Sequence, residues 1–189
     1  MTPANFGPAA LAIGNPLIRG FEAFRSRPYQ DSHGLWTIGY GSRTLANGAP
    51  VTHATPAVNT IEADAIMAAA VRLIVPRLER LVTHALLPHQ AAPVLSLTYN
   101  VGTGALATST LLRRLNAGDM AGVAAQFLVW DECEGKVNAG LVARRAQERR
   151  AFLGADMSPT ALVTLRHPQP TAPSPQPGAD TLMAAEMNV

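Results

Sequence analysis

Residues 20–41 read GFEAFRSRPYQDSHGLWTIGYG, and the fold and chemistry of the chain turn on how this stretch is parsed. It spaces Glu22, Asp31 and Thr37 so that a helix carries the first, a polar turn the second and a strand the third. The helix is read from Asn15, a good N-cap, and Pro16, whose missing N–H is not needed in a first turn. Leu17, Phe21 and Phe24 follow at i, i+4 and i+7 as one apolar stripe, which places the helix at about 16–26, before Pro28. Glu22 sits at the edge of that stripe, where partial loss of water favours the protonated form that a general acid needs. Asp31 lies in Gln30-Asp-Ser-His-Gly34, a turn composition rich in backbone donors and open to water, so its carboxylate stays ionised. In Leu35–Gly41 the side chains alternate, with Trp36, Ile38 and Tyr40 on one face and Thr37 on the other. Taken singly, Glu22 is a solvated surface charge, Asp31 a turn residue and Thr37 an ordinary strand residue. Together they are the equipment for acid–base cleavage of a bond.

Outward from this stretch, residues 1–14 read as a loose leader and about 29–53 as a small β region bent at Gly34, Gly39, Gly41, Gly48 and Pro50. Asn59-Thr-Ile-Glu62 is a capping box, and the Ala-rich run from Ile61 to His84 is helical, kinked or split at Pro76. A second lobe begins near Pro88. Within it Ser109 or Thr110 caps one short helix and Asp119 the next, which carries Val123, Phe127 and Trp130 inward. A last helix follows Gly140, with Leu141, Ala151 and Phe152 inward. Its arginines, Arg144, Arg145, Arg149 and Arg150, form a solvated face, Glu148 pairing with Arg144 at i, i+4. The sharper alternative is that Arg144 or Arg145 reaches back to Glu22. From residue 155 the composition changes: LRHPQPTAPSPQPGAD holds five of the 15 prolines and no aromatic residue, the mark of an extended, disordered tail.

A chain of 189 residues with 48% hydrophobic and 15% charged content is long enough for one real core plus an appendage. The first 154 residues carry 14 cations against 10 anions, a net +4, and 14 of the chain's 15 cations are Arg. Such a body is drawn to anionic polymers, wall or nucleic acid alike. Cys133 is the only cysteine, so no internal disulfide is possible. The five histidines show no metal spacing, which argues against a zinc amidase or a Cys–His peptidase. No apolar run reaches the roughly 18–20 residues of a membrane span. The N-terminus lacks a cationic start and is broken by prolines, a poor secretion signal.

Glu22, Asp31 and Thr37 at this spacing resemble the Glu…Asp…Thr signature of the phage-type lysozymes, glycoside hydrolase family 24. SLTYNVGTGALATSTLLRRLNAGD at 96–119 and FLVWDECEGKVNAGLVARRAQERR at 127–150 are similar to that family in the same order. The resemblance implies an α+β, lysozyme-like fold over residues 1–154, a small β lobe and a larger helical lobe joined by a long helix, with a cleft between. It implies cleavage of peptidoglycan between N-acetylmuramic acid and N-acetylglucosamine, with Glu22 as proton donor and Asp31 and Thr37 placing the attacking water. Inversion at the anomeric carbon is expected, with the two carboxyls about 6.5–9.5 Å apart. No metal or cofactor is implied. The partner is the glycan strand rather than nucleic acid or a membrane, and the protein is a monomer. It would be made in the host cytoplasm and reach the wall through a separate membrane hole. Tyr99 and Asn100 fall on the cleft wall in this resemblance, suited to binding sugar; the plainer alternative is a core tyrosine followed by a turn residue. Two positions depart from the family, Ala23 for Gly after Glu22 and Ser42 for His after Gly41. They keep open a catalytically weak wall-binding or structural phage component. A lytic transglycosylase is the nearer rival, with Asp31 and Thr37 speaking against it.

Overall fold

Eight consecutive residues, Ala91 to Thr98, are buried within one helix, and the other helices are arranged around it. The computed structural model describes residues 5–31, 34–133 and 135–155, which fall within one compact unit. The central helix is α3 (Pro88–Val101), with Pro88 in its first turn, where no N–H is required. A helix apolar on every side must be covered on every side. It is packed by α1 (Pro8–Phe21), α2 (Thr60–Leu81), the short α4 (Thr103–Ala107) and α7 (Ala139–Phe152). The contact with α1 is close because Gly14 faces it. A Cβ there would stand 3.1 Å from Leu95 Cδ2. The two remaining helices, α5 (Thr110–Asn116) and α6 (Met120–Phe127), pack on each other, and α6 also reaches α7.

The β lobe is an antiparallel pair, β1 (Arg25–Gln30) and β2 (Trp36–Gly39), with Tyr29 opposite Thr37 and Gln30 opposite Trp36. The register slips between Arg25 and Tyr29, where Pro28 cannot donate a ladder hydrogen bond. Ile38 enters a small core with Val51 and Ile66, while Tyr40 enters the main one, so the expected alternation stands. Thr37 points to the other face, though it too is buried. A second, two-residue pair, β3 (Glu132–Cys133) and β4 (Lys136–Val137), precedes α7.

Helix α2 joins the lobes. Asn59 Oδ1 accepts from the Glu62 N–H at 3.0 Å, and Glu62 Oε2 accepts from the Asn59 N–H at 2.8 Å, as the sequence predicts. Pro76 does not split the helix, which runs unbroken to Leu81. Ser109 and Asp119 cap α5 and α6 through the Leu112 and Gly122 N–H groups.

Two expectations at the N-terminus are corrected. The first helix starts at Pro8, not Pro16, and Pro16 lies inside it. It also ends earlier than about 26, because Glu22 turns extended (φ −85°, ψ 118°) and leads into β1. The segment before it is no loose leader. The backbone N–H groups of Asn5 and Phe6 donate to the Glu79 carboxylate, and Asn5 Nδ2 donates to the His84 carbonyl at 2.9 Å. Phe6 is 2% exposed in the main core. Residues 1–4, His33 and the tail from 156 onward lie outside the described residues, so the reading of a Pro-rich extended tail is carried no further.

Replacing Phe6 by Ala should cost about 3–5 kcal/mol in urea unfolding, the loss expected for a large aromatic in a packed core. A loss below about 0.5 kcal/mol would restore the leader reading.

Candidate functional site

The ends of α1 and β2 and the turn before β2 bring Glu22, Thr37 and Asp31 to one side of a cleft of about 690 Å³. Helix α3 supplies Tyr99 and Asn100 to the same cleft, α2 supplies Ala70 and Ile74, and the segment after α6 supplies Trp130. All five site residues expected from the sequence therefore share one concavity. Between them they offer two carboxylates, hydroxyls, an amide and aromatic surface, the mixture a polar ring substrate needs.

Glu22 sits where α1 stops. Its backbone N–H still closes the last helical turn onto Ile18 at 3.1 Å, while its side chain turns into the cleft. The carboxyl meets a cation rather than an apolar wall. Arg144 Nη1 donates to Glu22 Oε1 at 2.7 Å. The Arg144 guanidinium also lies 5.0 Å from the Phe21 ring centroid, so two successive residues of the α1 terminus hold it. Gly41 leaves room for the other oxygen, since a Cβ there would come within 3.3 Å of Glu22 Oε2. With φ +76°, that position also favours glycine on backbone grounds.

Asp31 is held differently. Its Oδ1 accepts from the Leu35 N–H at 2.9 Å, and its Oδ2 pairs with Arg43 Nη2 at 3.0 Å. The Arg43 side chain is 58% exposed, so this pair works in a high dielectric. The Thr37 hydroxyl donates to the Tyr29 carbonyl at 3.2 Å, which leaves its oxygen lone pairs to accept.

The Tyr99 hydroxyl donates to the Tyr40 carbonyl at 2.9 Å and lies 3.0 Å from Ser42 Oγ, which can donate to it. Burial pushes the Tyr99 phenol up to about 12; the Ser42 hydrogen bond pulls the other way, and the Glu22 carboxylate adds to the rise. Tyr99 thus meets the core reading with its ring, which packs against the main core, while its hydroxyl bridges to the β lobe. Ser42, standing where the family has His, is buried and bonded to Tyr99. Ala23 is exposed and lies beyond the helix end.

The largest departure from the sequence reading lies beneath the cleft. Arg144 and Arg145 belong to no solvated face: they are 5% and 0% exposed, and Glu148 is 0% exposed. Glu148 Oε1 accepts from Arg144 Nε at 3.1 Å and from Ser96 Oγ at 2.7 Å, and Glu148 Oε2 meets Arg145 Nε at 3.0 Å. Arg145 Nη2 donates to Asn100 Oδ1 at 3.1 Å. Burial pushes the Glu148 carboxyl up, with Arg145, Arg144 and Ser96 pulling back. Burial likewise pushes Arg145 down to about 10, with Glu148 opposing. Sequence reasoning missed this because a run of arginines near a C-terminus normally faces water. The signal lay in Ser96 and Asn100, polar residues on the otherwise apolar α3 that need partners. Arg43, Tyr29 and Glu132 are further cleft residues the sequence did not single out.

Among the described residues no group of three or more His, Cys, Asp or Glu side chains is placed to hold a metal. No described helix is long and apolar enough to cross a membrane.

Comparison with known proteins gives the family and the fold. Residues 19–148, more than half of the chain, match the phage lysozyme family. The chain is 37% identical over 142 residues to the endolysin of Bacillus phage B103, covering 74% of this chain but only 52% of that protein. It is 33% identical over 148 residues to the endolysin of Acyrthosiphon pisum secondary endosymbiont phage 1, covering 75% and 96%. Among solved structures, the endolysin from Escherichia coli O157:H7 phage FAHEc1 superposes with a TM-score of 0.68 at 29% identity, covering 75% of this chain and 91% of that one. The α+β architecture is thus a lysozyme-like one.

The Tyr99 environment can be read in alkaline unfolding. Its folded pKa is about 12 against an ordinary value of 10, so the folded state keeps the phenol proton after the unfolded chain has lost it. That contribution is full below pH 10 and is lost as pH rises through about 12. Between pH 9 and pH 11.5, wild type should lose on the order of 2 kcal/mol more stability than Tyr99→Phe, measured by urea unfolding. Arg145 is common to both proteins and drops out of the difference. Equal losses would show that the phenol is not shielded.

Proposed function

Because the chain belongs to the phage lysozyme family, a family of glycoside hydrolases, we propose that it cleaves the β-1,4 bond between N-acetylmuramic acid and N-acetylglucosamine in peptidoglycan. Its biological setting is then that of its endolysin relatives, lysis of a bacterial host from within, with access to the wall depending on prior opening of the membrane. The observation that carries the reading is that Glu22, Asp31 and Thr37 line one cleft together with Tyr99 and Asn100.

In this proposal Glu22 is the general acid. Arg144 holds Oε1, leaving Oε2 on the Gly41 side to carry the proton to the glycosidic oxygen. As the bond breaks, positive charge develops on the sugar ring, and Glu22 becomes a carboxylate that Arg144 is already placed to neutralise. Asp31, fixed by Arg43 and the Leu35 N–H, and Thr37, whose lone pairs face away from Tyr29, orient a water for attack on the anomeric carbon from the other side. Two acceptors on one water expose its own lone pair to the carbon. The product is the inverted sugar, and the mechanism requires the wider carboxyl separation of about 6.5–9.5 Å. Asn100 and the Tyr99 wall bind the glycan. The body works as a monomer and needs no metal.

A weak wall-binding module was the rival suggested by Ala23 and Ser42. Ala23 faces solvent, and Ser42, which lines the cleft, is bonded through its hydroxyl to Tyr99 and leaves Glu22, Asp31 and Thr37 in the same cleft.

Glu22→Gln should lower lysis of chloroform-treated Gram-negative cells by about 100- to 10,000-fold with the fold intact by circular dichroism. Near-normal lysis would remove Glu22 as the acid. Proton NMR of the first products from soluble glycan strands should show the α-anomer. The β-anomer would argue for a covalent intermediate and a 1,6-anhydro end for a transglycosylase.

A further inference from the structure

The reaction as proposed uses Glu22, Asp31 and Thr37 and leaves a fully buried acid unexplained. Glu148 lies on α7, below the cleft floor, and touches no substrate space. Its Oε1 gathers three donors, Ser96 Oγ at 2.7 Å, Arg144 Nε at 3.1 Å and Arg145 Nη2 at 3.4 Å. Its Oε2 meets Arg145 Nε at 3.0 Å. From this anchor the two guanidiniums reach different residues of the cleft lining. Arg144 ends on Glu22 Oε1 at 2.7 Å, and Arg145 ends on Asn100 Oδ1 at 3.1 Å.

Burying a carboxylate this way is expensive, and as a stability device it is no better than an apolar packing of the same volume. What it does that an apolar residue cannot is keep two like charges side by side and aimed. Without Glu148, Arg144 and Arg145 would repel each other in a dry environment, where the repulsion is strong. Apart from Glu22 itself, the remaining holds on Arg144 are the Ser96 carbonyl at 3.3 Å, a long contact, and the Phe21 ring. The second arm has its own consequence. With Oδ1 taken by Arg145, the Asn100 amide offers its Nδ2 donors to the cleft, which suits a carbonyl acceptor such as a sugar acetamido group.

We propose that Glu148 is a positioning residue for the hydrolysis, setting the acid through Arg144 and the glycan-binding amide through Arg145. The proposal rests on Glu22 being the acid. One buried carboxylate thus aligns chemistry and binding through two cleft residues, Glu22 and Asn100, and its loss disturbs kcat and KM through separate arms.

The test is steady-state kinetics on soluble, uncross-linked glycan strands at 25 °C, with folding checked by circular dichroism. Glu148→Gln keeps the size and removes the charge; kcat should fall at least tenfold and KM rise severalfold. Asn100→Ala should raise KM with kcat within twofold of wild type. Added to Glu148→Gln, it should raise KM no further, because the amide is already released. Glu148→Asp, which restores the charge, should recover part of kcat. A purely structural acid would lower the melting temperature while leaving kcat and KM of the folded enzyme in place. Folded Glu148→Gln with both constants within twofold of wild type, alongside an inactive Glu22→Gln, overturns the proposal. Activity retained in Glu22→Gln would instead fault the acid assignment on which it stands. Should Glu148→Gln fail to fold, Ser96→Ala removes one donor from the same oxygen. A threefold or larger fall in its kcat supports the proposal, and an unchanged kcat overturns it.

Discussion

Arg144 and Glu22 are separated by 122 positions in the chain and meet at 2.7 Å, and much of the structure can be understood as what that meeting requires. A guanidinium only 6% exposed along its side chain needs counter-charge. Glu22 supplies it from one side and Glu148 from the other, while Arg145 balances Glu148. Once Glu22 has given up its proton, the four charges sum to zero in a region from which water is largely excluded. That balance holds only if α7 docks against α3 so that Ser96 and Asn100 complete the network, and only if α1 stops at Phe21 to deliver Glu22. Packing and electrostatics therefore demand the same arrangement of α1, α3 and α7, the kind of agreement between levels that a specific fold needs.

The two carboxyls of the cleft are thereby given unlike surroundings. Glu22 is tied to a buried cation of the helical lobe, whereas Asp31 is tied to Arg43, an exposed cation of its own β lobe. A charge pair in a dry setting is stiff and strong, and one at the surface is weak and adjustable. The first suits a group that must deliver a proton along a fixed line. The second suits one that orients a mobile water. Tyr99 links the sides, its ring in the main core and its hydroxyl on the Tyr40 carbonyl, so the position of the β lobe is registered against α3.

Much of this was legible in the sequence. Cap residues with side-chain oxygens, Asn59, Ser109 and Asp119, announced helix starts because the unsatisfied N–H groups of a first turn need such partners. The alternation from Trp36 to Tyr40 placed Thr37 opposite the core, and the polar turn at Asp31 marked the link between the strands. Prolines misled. Pro16 and Pro76 both lie inside helices, where tertiary packing outweighs a lost hydrogen bond and a local clash. Pro28, read as a helix stop, instead sits at a register slip of β1. Phe6 was read as part of a loose leader because nothing local shows that Glu79, more than 70 residues on, anchors its backbone. The burial of Arg144, Arg145 and Glu148 was hidden for the same reason. Their partners are distant in sequence, and only the Glu148–Arg144 spacing is local.

The claim at the centre is that these buried charges exist for one another. A stability cycle on Arg145→Met, Glu148→Leu and the double variant, followed by urea unfolding at pH 7, tests it directly. Each single change strands a charge in the interior and should cost about 3–5 kcal/mol. The double change removes both charges and should cost less than the sum by well over 1 kcal/mol. Costs that simply add would mean that the two side chains are stabilised independently, and the account of α7 docking through a mutually neutralising network would be wrong.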